Sequence, residues 1–247
     1  MDFVYTFKNR LFGYKYNLTL LILAVSFFLV LHSPVSLEAF LHDHFVFLTG
    51  AYRILEGQIP HIDFQSPFGG LSFLLVGLSY LLSGSYSYAI PLTTLISSAV
   101  ILLSGSHLLH RKLDNTYYTL TILLCSLVCV APYVHTTSLS ETTYAMWYNR
   151  HGWACFIFVS LYFLHRGPDD HFRNTDIACL TILSVLLAYT KPTFLIGLFP
   201  ILLIDLFFYN QKGIYYFAAS ALLVAVAVEI MLPGFSLGYV RDLLSAS

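Results

Sequence analysis

Asp43 is the residue of this chain best placed to do chemistry, because it lies in the one long polar interruption (residues 41–70) of an otherwise apolar sequence. A carboxylate at the head of a surface helix can deprotonate a hydroxyl or amine acceptor when its reach suits the task. An arginine beside it would hold a phosphate, since the guanidinium fork matches phosphate oxygens bidentately. Asp43 with Arg53 or Arg150 is therefore the minimal set for a transfer in which a phosphate leaves. The simpler alternative is structural: Asp43 caps a helix, and Arg53 pairs with Glu56 on its surface.

Histidines beside these carboxylates raise the alternative of a metal site. Imidazole and carboxylate ligands suit zinc, and carboxylates suit manganese or magnesium. The residues concerned are His42, Asp43, His44, His61 and Asp63. His42 and His44 project to different sides of a helix, and no spacing matches a known closed site. Solvated histidines are the simpler interpretation, a divalent metal stays an alternative, and the sequence predicts no other cofactor.

Two further polar groups lie between apolar runs. Four aromatic residues surround Asn149 and Arg150, and they fit either a belt at the headgroup level or a wall for a lipid chain or sugar ring; they are Tyr144, Trp147, Tyr148 and Trp153. Lys191 separates two apolar runs, and an ionisable group at membrane depth is usually either interfacial or functional. Both interpretations stay open for each group.

The spacing of apolar residues predicts a helix that would position Asp43. Phe45, Leu48, Tyr52 and Leu55 follow at steps of three and four and form one stripe of such a helix. Asp43 stands at the position of an N-cap and Gly57 at the position of a terminating glycine. We therefore predict a short helix on a membrane surface, with the apolar stripe facing the membrane.

Composition indicates a membrane protein with several spans. Of the 247 residues, 57% are hydrophobic and 10% charged, and the mean hydropathy is +0.74. A net charge of −1 gives no field that would attract nucleic acid, so no nucleic-acid partner is expected. The four cysteines lie inside apolar runs without a paired motif and are predicted to be small core residues.

The predicted fold is all-α: one polytopic transmembrane bundle over residues 1–247, with a short surface helix in the first extracytoplasmic loop. The first transmembrane helix (16–34) is uncleaved, the loop is 35–67, and further transmembrane segments fill 68–232. Residues 233–247 begin another surface segment, for which truncation stays an alternative. The apolar runs after the loop are 68–82, 88–109, 117–134, 153–164, 177–189, 193–209 and 214–232. Several are shorter than the ~20 residues of a simple span, so some must tilt or share a crossing.

Basic loops predict the orientation of these segments. The loops at 110–112, 165–173 and 211–212 are separated by two segments each and therefore share a side, which the positive-inside rule makes the cytoplasm. The N-terminus, with Lys8, Arg10 and Lys15, belongs to the same side. Asp43 is then extracytoplasmic and His110 cytoplasmic, so an odd number of membrane crossings must separate them. The sequence, however, has two apolar runs between them, 68–82 and 88–109. We favour the interpretation that 68–82 does not cross the membrane; the alternative is that the inside rule fails downstream.

The order of these motifs resembles that of the GT-C glycosyltransferases, which include protein O-mannosyltransferases and the aminoarabinose transferases of lipid A. The resembling segments are LHDH (41–44), AYRILEG (51–57), PHIDF (60–64), SPFGGL (66–71), NR (149–150) and YTKP (189–192). The likeness spans roughly residues 16–240. His44 stands where many members have a second acid, which weakens a metal-dependent variant, and family members are usually much longer.

The resemblance implies transfer of one sugar, with inversion, from a polyprenyl-phosphate carrier to an extracytoplasmic acceptor. Asp43 falls at the position of the acceptor-activating carboxylate, and Arg150 and Lys191 become candidates to meet the carrier phosphate. The remaining candidate substrate-binding residues are Arg53, His61, Asp63 and Glu141. The expected partners are the lipid-linked sugar donor, membrane lipid and a subunit that supplies missing helices. The alternative is a non-catalytic or truncated membrane protein, either a lipid-sugar transporter or an assembly subunit.

Overall fold

A computed structural model describes residues 2–32, 41–131, 144, 146–167, 170–209 and 212–245. Its regular structure over these ranges is helical, which confirms the predicted all-α class. The helices are α1 (Asp2–His32), α2 (Leu41–Leu55), α3 (Gly70–Ser83), α4 (Tyr86–Leu109), α5 (Asn115–Val130), α6 (Trp147–Leu164), α7 (Asn174–Thr190), α8 (Thr193–Tyr209), α9 (Lys212–Met231) and α10 (Phe235–Ser245).

Helix α4 lies at the centre of the bundle and contacts α1, α3, α5, α6 and α7. Small and hydroxyl-bearing side chains in α4 allow this central position, because they let the neighbouring helices approach α4 closely. A Cβ atom added at Gly105 would overlap the ring of Phe158 in α6. The buried hydroxyls of Ser97 and Ser98 donate to the carbonyls of Thr93 and Thr94, at 2.7 and 2.6 Å. Polar residues therefore enter the core without leaving these hydroxyls unpaired.

The basic loops gather at one end of the bundle. The ammonium of Lys15 in α1 donates to the carbonyls of His110 and Leu113, at 2.8 and 2.7 Å. Lys112 forms an ion pair with Asp170 across the two loops. A Cβ atom at Gly213, at the start of α9, would meet the ring of Phe172. We call this end, defined by residues 110–114, 165–167 and 170–173, the basic end. The loops before α5 and α7 meet there, as their spacing predicted, and α9 begins beside them.

Helix α3 does not extend to the basic end. Gly69, which precedes it, lies against the carbonyl of Tyr189 at the far end of α7, whereas the first turn of α7 contacts the basic end through Asp176 and His107. From there α3 runs antiparallel to the first half of α4: Thr93 donates to the Leu75 carbonyl at 3.1 Å. Both ends of α3 therefore lie on the side of the bundle opposite the basic end. One long helix, α4, connects that side with His110.

Two helices are long and apolar enough to cross a membrane, within the ranges that the structure describes: Tyr86–Leu109 and Gly213–Met231. The first is mostly buried, and the second is mostly exposed. Its outward face carries Leu222, Leu223 and Ile230, each at least 65% exposed. A contiguous apolar surface of this kind marks a contact with lipid or with another protein.

Two predicted helix boundaries are wrong. Helix α1 begins at Asp2 rather than at residue 16, and α6 begins at Trp147, although the sequence placed residues 135–150 in a loop. In α6 the misleading signal was the polar pair Arg150 and His151. Both side chains face the protein interior: His151 is 3% exposed and its Nε2 lies 3.3 Å from the Ser98 hydroxyl. A polar residue with an internal partner does not end a helix.

The predicted apolar stripe of α2 is not the stripe that packs on the bundle. Phe45 and Tyr52 are more than half exposed, whereas Phe47 and Ala51 are fully buried. Phe47 packs on Phe68, Phe73, Trp147 and Tyr148, with ring centroids 5.1–5.8 Å apart. The helix is therefore apolar on two sides, one against the protein and one outward. The predicted turn is present, since Gly57 has a φ of 85°.

Candidate functional site

Asp43 lies in the first turn of α2, on the side that packs against the bundle. The residue is 7% exposed. Its Oδ1 lies 3.2 Å from Nε2 of the exposed His42. Its Oδ2 is buried and accepts no hydrogen bond from the residues that the structure describes. Buried carboxylate oxygens are normally bonded, so this oxygen is available to accept a hydrogen bond from a ligand.

Tyr148 joins Asp43 to the next charged residue of the site. Its ring packs between Phe47 and Phe68, at centroid distances of 5.3 and 5.0 Å. The ammonium of Lys191 lies 5.3 Å from the centroid of the same ring, which is a cation–π contact. Asp43 lies one helical turn before Phe47 on the same side of α2, and Phe47 packs on this ring. We call the region of Asp43, Tyr148 and Lys191 the niche; it holds a proton acceptor and a cation.

Lys191 enters this niche from the residue that follows α7. Its backbone N–H donates to the Leu187 carbonyl at 2.9 Å and closes the last turn of the helix. Over the described parts of the chain, no carboxylate lies within 4.0 Å of its ammonium. The positive charge rests on an aromatic face, and its N–H donors can still receive an anion.

The aromatic cluster divides into two parts. Trp147 and Tyr148 are 1% and 5% exposed and pack against α2, whereas Trp153 is 54% exposed. An aromatic belt at a membrane surface needs exposed rings, so that interpretation suits Trp153 alone. Trp147 and Tyr148 instead form a wall of the niche. Burial of these two rings could not be inferred from spacing, because they were assigned to a loop.

Arg150 lies on the other side of α6. Two residues along a helix rotate a side chain by about 200°, so Arg150 faces away from Tyr148 and Lys191. Its Nη1 donates to the carbonyl of Ala131 at the end of α5. Its Nε and Nη2 are buried, with no hydrogen-bond acceptor in the described ranges. The structure therefore brings Lys191 to Asp43 and does not bring Arg150 there.

Arg53 and Asp63 are also separate from Asp43. Arg53 is in the last turn of α2, ten residues after Asp43, or about 15 Å along the helix axis. Its guanidinium lies 5.1 Å from the ring centroid of Phe64. Asp63 accepts a 2.7 Å hydrogen bond from the N–H of Ile59 and stabilises its own turn. The predicted pair of Asp43 with Arg53 is wrong, because opposite ends of one helix hold the two side chains apart.

His61 belongs to a second buried cluster, which fixes helix α10 to the loop before α3. Its Nδ1 lies 3.0 Å from Oδ2 of Asp242, and this oxygen also accepts the N–H of Ser66 at 3.0 Å. The imidazole stacks on Tyr239 with ring centroids 4.6 Å apart. Gly238 leaves room for the close approach, since a Cβ atom there would overlap the His61 carbonyl. His61 is thus a structural contact of α10.

Sequence reasoning missed the residues of α10 that form this cluster. The detectable signal was the helical spacing of Phe235, Gly238, Tyr239 and Asp242, which are all buried. Asp242 made that buried stripe hard to recognise in the sequence, because charged residues normally lie on the exposed face of a helix. A partner 181 residues away in the chain could not be read from one sequence.

Acidification should weaken the docking of α10. Burial lowers the pKa of His61 below its ordinary value of 6.5, although the Asp242 carboxylate acts in the opposite direction. In the unfolded chain His61 binds a proton near pH 6.5, whereas in the folded protein it does so only at a lower pH. The free energy of unfolding therefore falls as the pH drops below 6.5. We expect the melting temperature of wild type to fall more between about pH 7.5 and about pH 5.5 than that of His61→Gln.

Thermal unfolding of both proteins at the two pH values measures this difference. His110, whose pKa burial lowers to about 4, is present in both proteins and contributes equally to both pH profiles. Equal pH dependence in wild type and His61→Gln would show that the His61 contact does not sense protons.

No group of three metal-binding side chains occurs among the residues described. His61 bonds to Asp242 rather than approaching Asp43, so the predicted set of histidines and carboxylates does not converge. Glu141, another predicted site residue, lies outside the described residues.

Comparisons with protein-family models, with curated proteins and with solved structures gave no match for this chain.

Proposed function

We propose that this chain is the module of an integral membrane glycosyltransferase that moves a sugar from a polyprenyl-phosphate carrier to an extracytoplasmic acceptor. The observation that carries the proposal is that Lys191 contacts the Tyr148 ring, on which Phe47 packs one helical turn after Asp43. A buried carboxylate with an unbonded oxygen supplies a proton acceptor. A lysine without a neighbouring carboxylate in the described ranges supplies a cation for phosphate. The GT-C resemblance of the motifs around both residues adds the class of reaction.

Placement in a membrane with several crossings is part of the proposal. Besides the two long apolar helices, five shorter ones occur among the residues that the structure describes, and many apolar side chains there are exposed. The positive-inside rule assigns the basic end to the cytoplasm. Helix α3 stays on the opposite side, so α4 alone returns the chain from the Asp43 loop to the cytoplasm. This gives the odd number of crossings that the basic loops require, and it makes the niche extracytoplasmic.

The reaction is a direct displacement at the anomeric carbon of the donor. The acceptor hydroxyl attacks this carbon, and Asp43 accepts the hydroxyl proton as the new glycosidic bond forms. The bond between the anomeric carbon and the phosphate oxygen breaks, and polyprenyl phosphate leaves with the bonding electrons. Lys191 stabilises the negative charge that develops on this phosphate.

Lysine at position 191 should be required for the carrier phosphate. Lys191→Met keeps the length of the side chain and removes the charge, so transfer should fall about 10- to 100-fold, the worth of one charge-assisted hydrogen bond. Lys191→Arg retains a cation and should keep more activity than Lys191→Met. The measurement is release of polyprenyl phosphate by the chain in proteoliposomes, with polyprenyl-phosphate mannose and polyprenyl-phosphate aminoarabinose as donors.

The same assay separates the transferase from its rival, a transporter or assembly subunit. A transporter would move the intact lipid-linked sugar between leaflets without releasing polyprenyl phosphate. Intact donor recovered with both sugars, from folded protein supplied with membrane extract as the source of acceptor, would overturn the proposed activity.

A further inference from the structure

A second candidate ligand site lies on the outward side of α2, away from the Asp43 niche. It is an open groove of about 330 Å³ between α2, the loop before α3 and the first turn of α3. This volume falls within the range of about 300–1,000 Å³ that is typical of small-molecule sites. Its lining residues are Phe45, Val46, Thr49, Gly50, Arg53, Phe64, Gln65, Ser66 and Phe73. Phe47, on the opposite side of α2, packs towards Tyr148 and separates the groove from the niche.

The charge of this groove favours an anion. Arg53 carries the only formal charge among its described lining residues. The guanidinium rests on the face of Phe64, and across the described ranges no carboxylate lies within 4.0 Å of it. A stacked guanidinium keeps its N–H edge free for a planar or tetrahedral oxyanion. Gln65 and Ser66 also line the groove.

The surroundings of the groove favour a lipid over a soluble anion. Phe45 and Val46 are 62% and 40% exposed, and they continue the groove onto the outer surface. The adjacent outward face of α3 is also apolar, with Leu74, Leu78 and Leu81 exposed. An apolar groove that ends at a cation matches a hydrocarbon chain joined to an anionic headgroup.

We infer that the Arg53 groove binds one anionic glycerophospholipid, with its headgroup at Arg53 and a chain segment along Phe45, Val46 and Phe73. This lipid is distinct from the sugar donor, whose phosphate is assigned to Lys191. The inference rests on the membrane placement proposed above and not on the transfer reaction. Its test therefore measures bound lipid and no turnover, so that either proposal can fail without the other.

Native mass spectrometry of the full chain in neutral detergent tests this site. The protein is titrated with phosphatidylglycerol, with phosphatidylcholine, or with glycerol phosphate as the soluble headgroup. Wild type should retain one phosphatidylglycerol with about tenfold preference over phosphatidylcholine, the worth of one charge-assisted contact. Glycerol phosphate should not displace the lipid, because it lacks the chain.

Two variants and a matched control complete the test. Arg53→Gln should abolish the tenfold preference, and Thr49→Trp, at an exposed position on the groove wall, should reduce retention of both lipids. Arg111→Gln removes an exposed arginine at the basic end and should match wild type. The site is refuted if Arg53→Gln and Thr49→Trp retain phosphatidylglycerol as Arg111→Gln does, or if glycerol phosphate displaces the lipid.

Discussion

Replacing Asp43 by asparagine should lower sugar transfer by about 10²–10⁴-fold, the usual contribution of a general base. Asparagine has the shape of aspartate and can accept a hydrogen bond, but it cannot take the proton of the acceptor hydroxyl at neutral pH. The unbonded Oδ2 of Asp43 is the atom whose chemistry changes. Binding of the donor should persist, because Lys191 and Tyr148 are unchanged. Release of polyprenyl phosphate in proteoliposomes measures the rate.

Glu56→Gln is the matched control for this substitution. Glu56 is exposed and directly follows α2, so the change removes one negative charge next to this helix without touching the niche. Its transfer rate should stay within about twofold of wild type, as expected for a surface substitution. An Asp43→Asn protein that transfers sugar as fast as Glu56→Gln would exclude Asp43 as the base.

Asp205→Asn should be the most destabilising single substitution proposed for this chain. Both side-chain oxygens of Asp205 accept hydrogen bonds from Arg166, at 2.7 Å each, and the two side chains are 2% and 0% exposed. Asparagine removes the charge that compensates the buried Arg166, and breaking a buried ion pair by changing one partner costs about 3–5 kcal/mol. The pair attaches α8 to the basic end, so we expect α8 to detach first. Denaturant or thermal unfolding in detergent measures the loss.

Two comparisons make this prediction specific. The double variant Arg166→Met with Asp205→Leu removes both charges and should recover most of the lost stability, because an apolar pair needs no compensation. Asp170→Asn breaks an ion pair whose acid is half exposed, and it should cost at most about 1 kcal/mol. If Asp205→Asn costs no more than Asp170→Asn, the buried pair does not hold α8.

Composition and the spacing of apolar runs were sufficient to predict the all-α fold and most of its helices. The predicted runs 88–109 and 193–209 match α4 and α8 closely, because an apolar run between polar loops is a local signal. The residues 147–152 were missed because Arg150 and His151 find their partners inside the protein. Side-chain partners of that kind depend on tertiary packing, which one sequence does not encode in any local pattern.

The candidate site was predictable in its residue types and not in its pairing. Asp43 and Lys191 were both singled out, yet nothing in their spacing indicated that Tyr148 would join them. Arg53 and Arg150 were grouped with Asp43 because arginine suits phosphate, and helix geometry separates both from it. The contact of His61 with Asp242 required the return of α10 to the first loop, which is a long-range contact.

Binding of polyprenyl phosphate tests the central claim most directly, because this product is common to every sugar that the chain could transfer. The change in tryptophan emission on addition of a short-chain polyprenyl phosphate would be titrated for wild type, Lys191→Met and the control Arg111→Gln, each with Trp153→Phe so that Trp147 reports alone. The account predicts saturable binding that Lys191→Met weakens about 10- to 100-fold and Arg111→Gln leaves unchanged. Equal affinities for all three proteins, or no saturable binding to folded wild type, would contradict it.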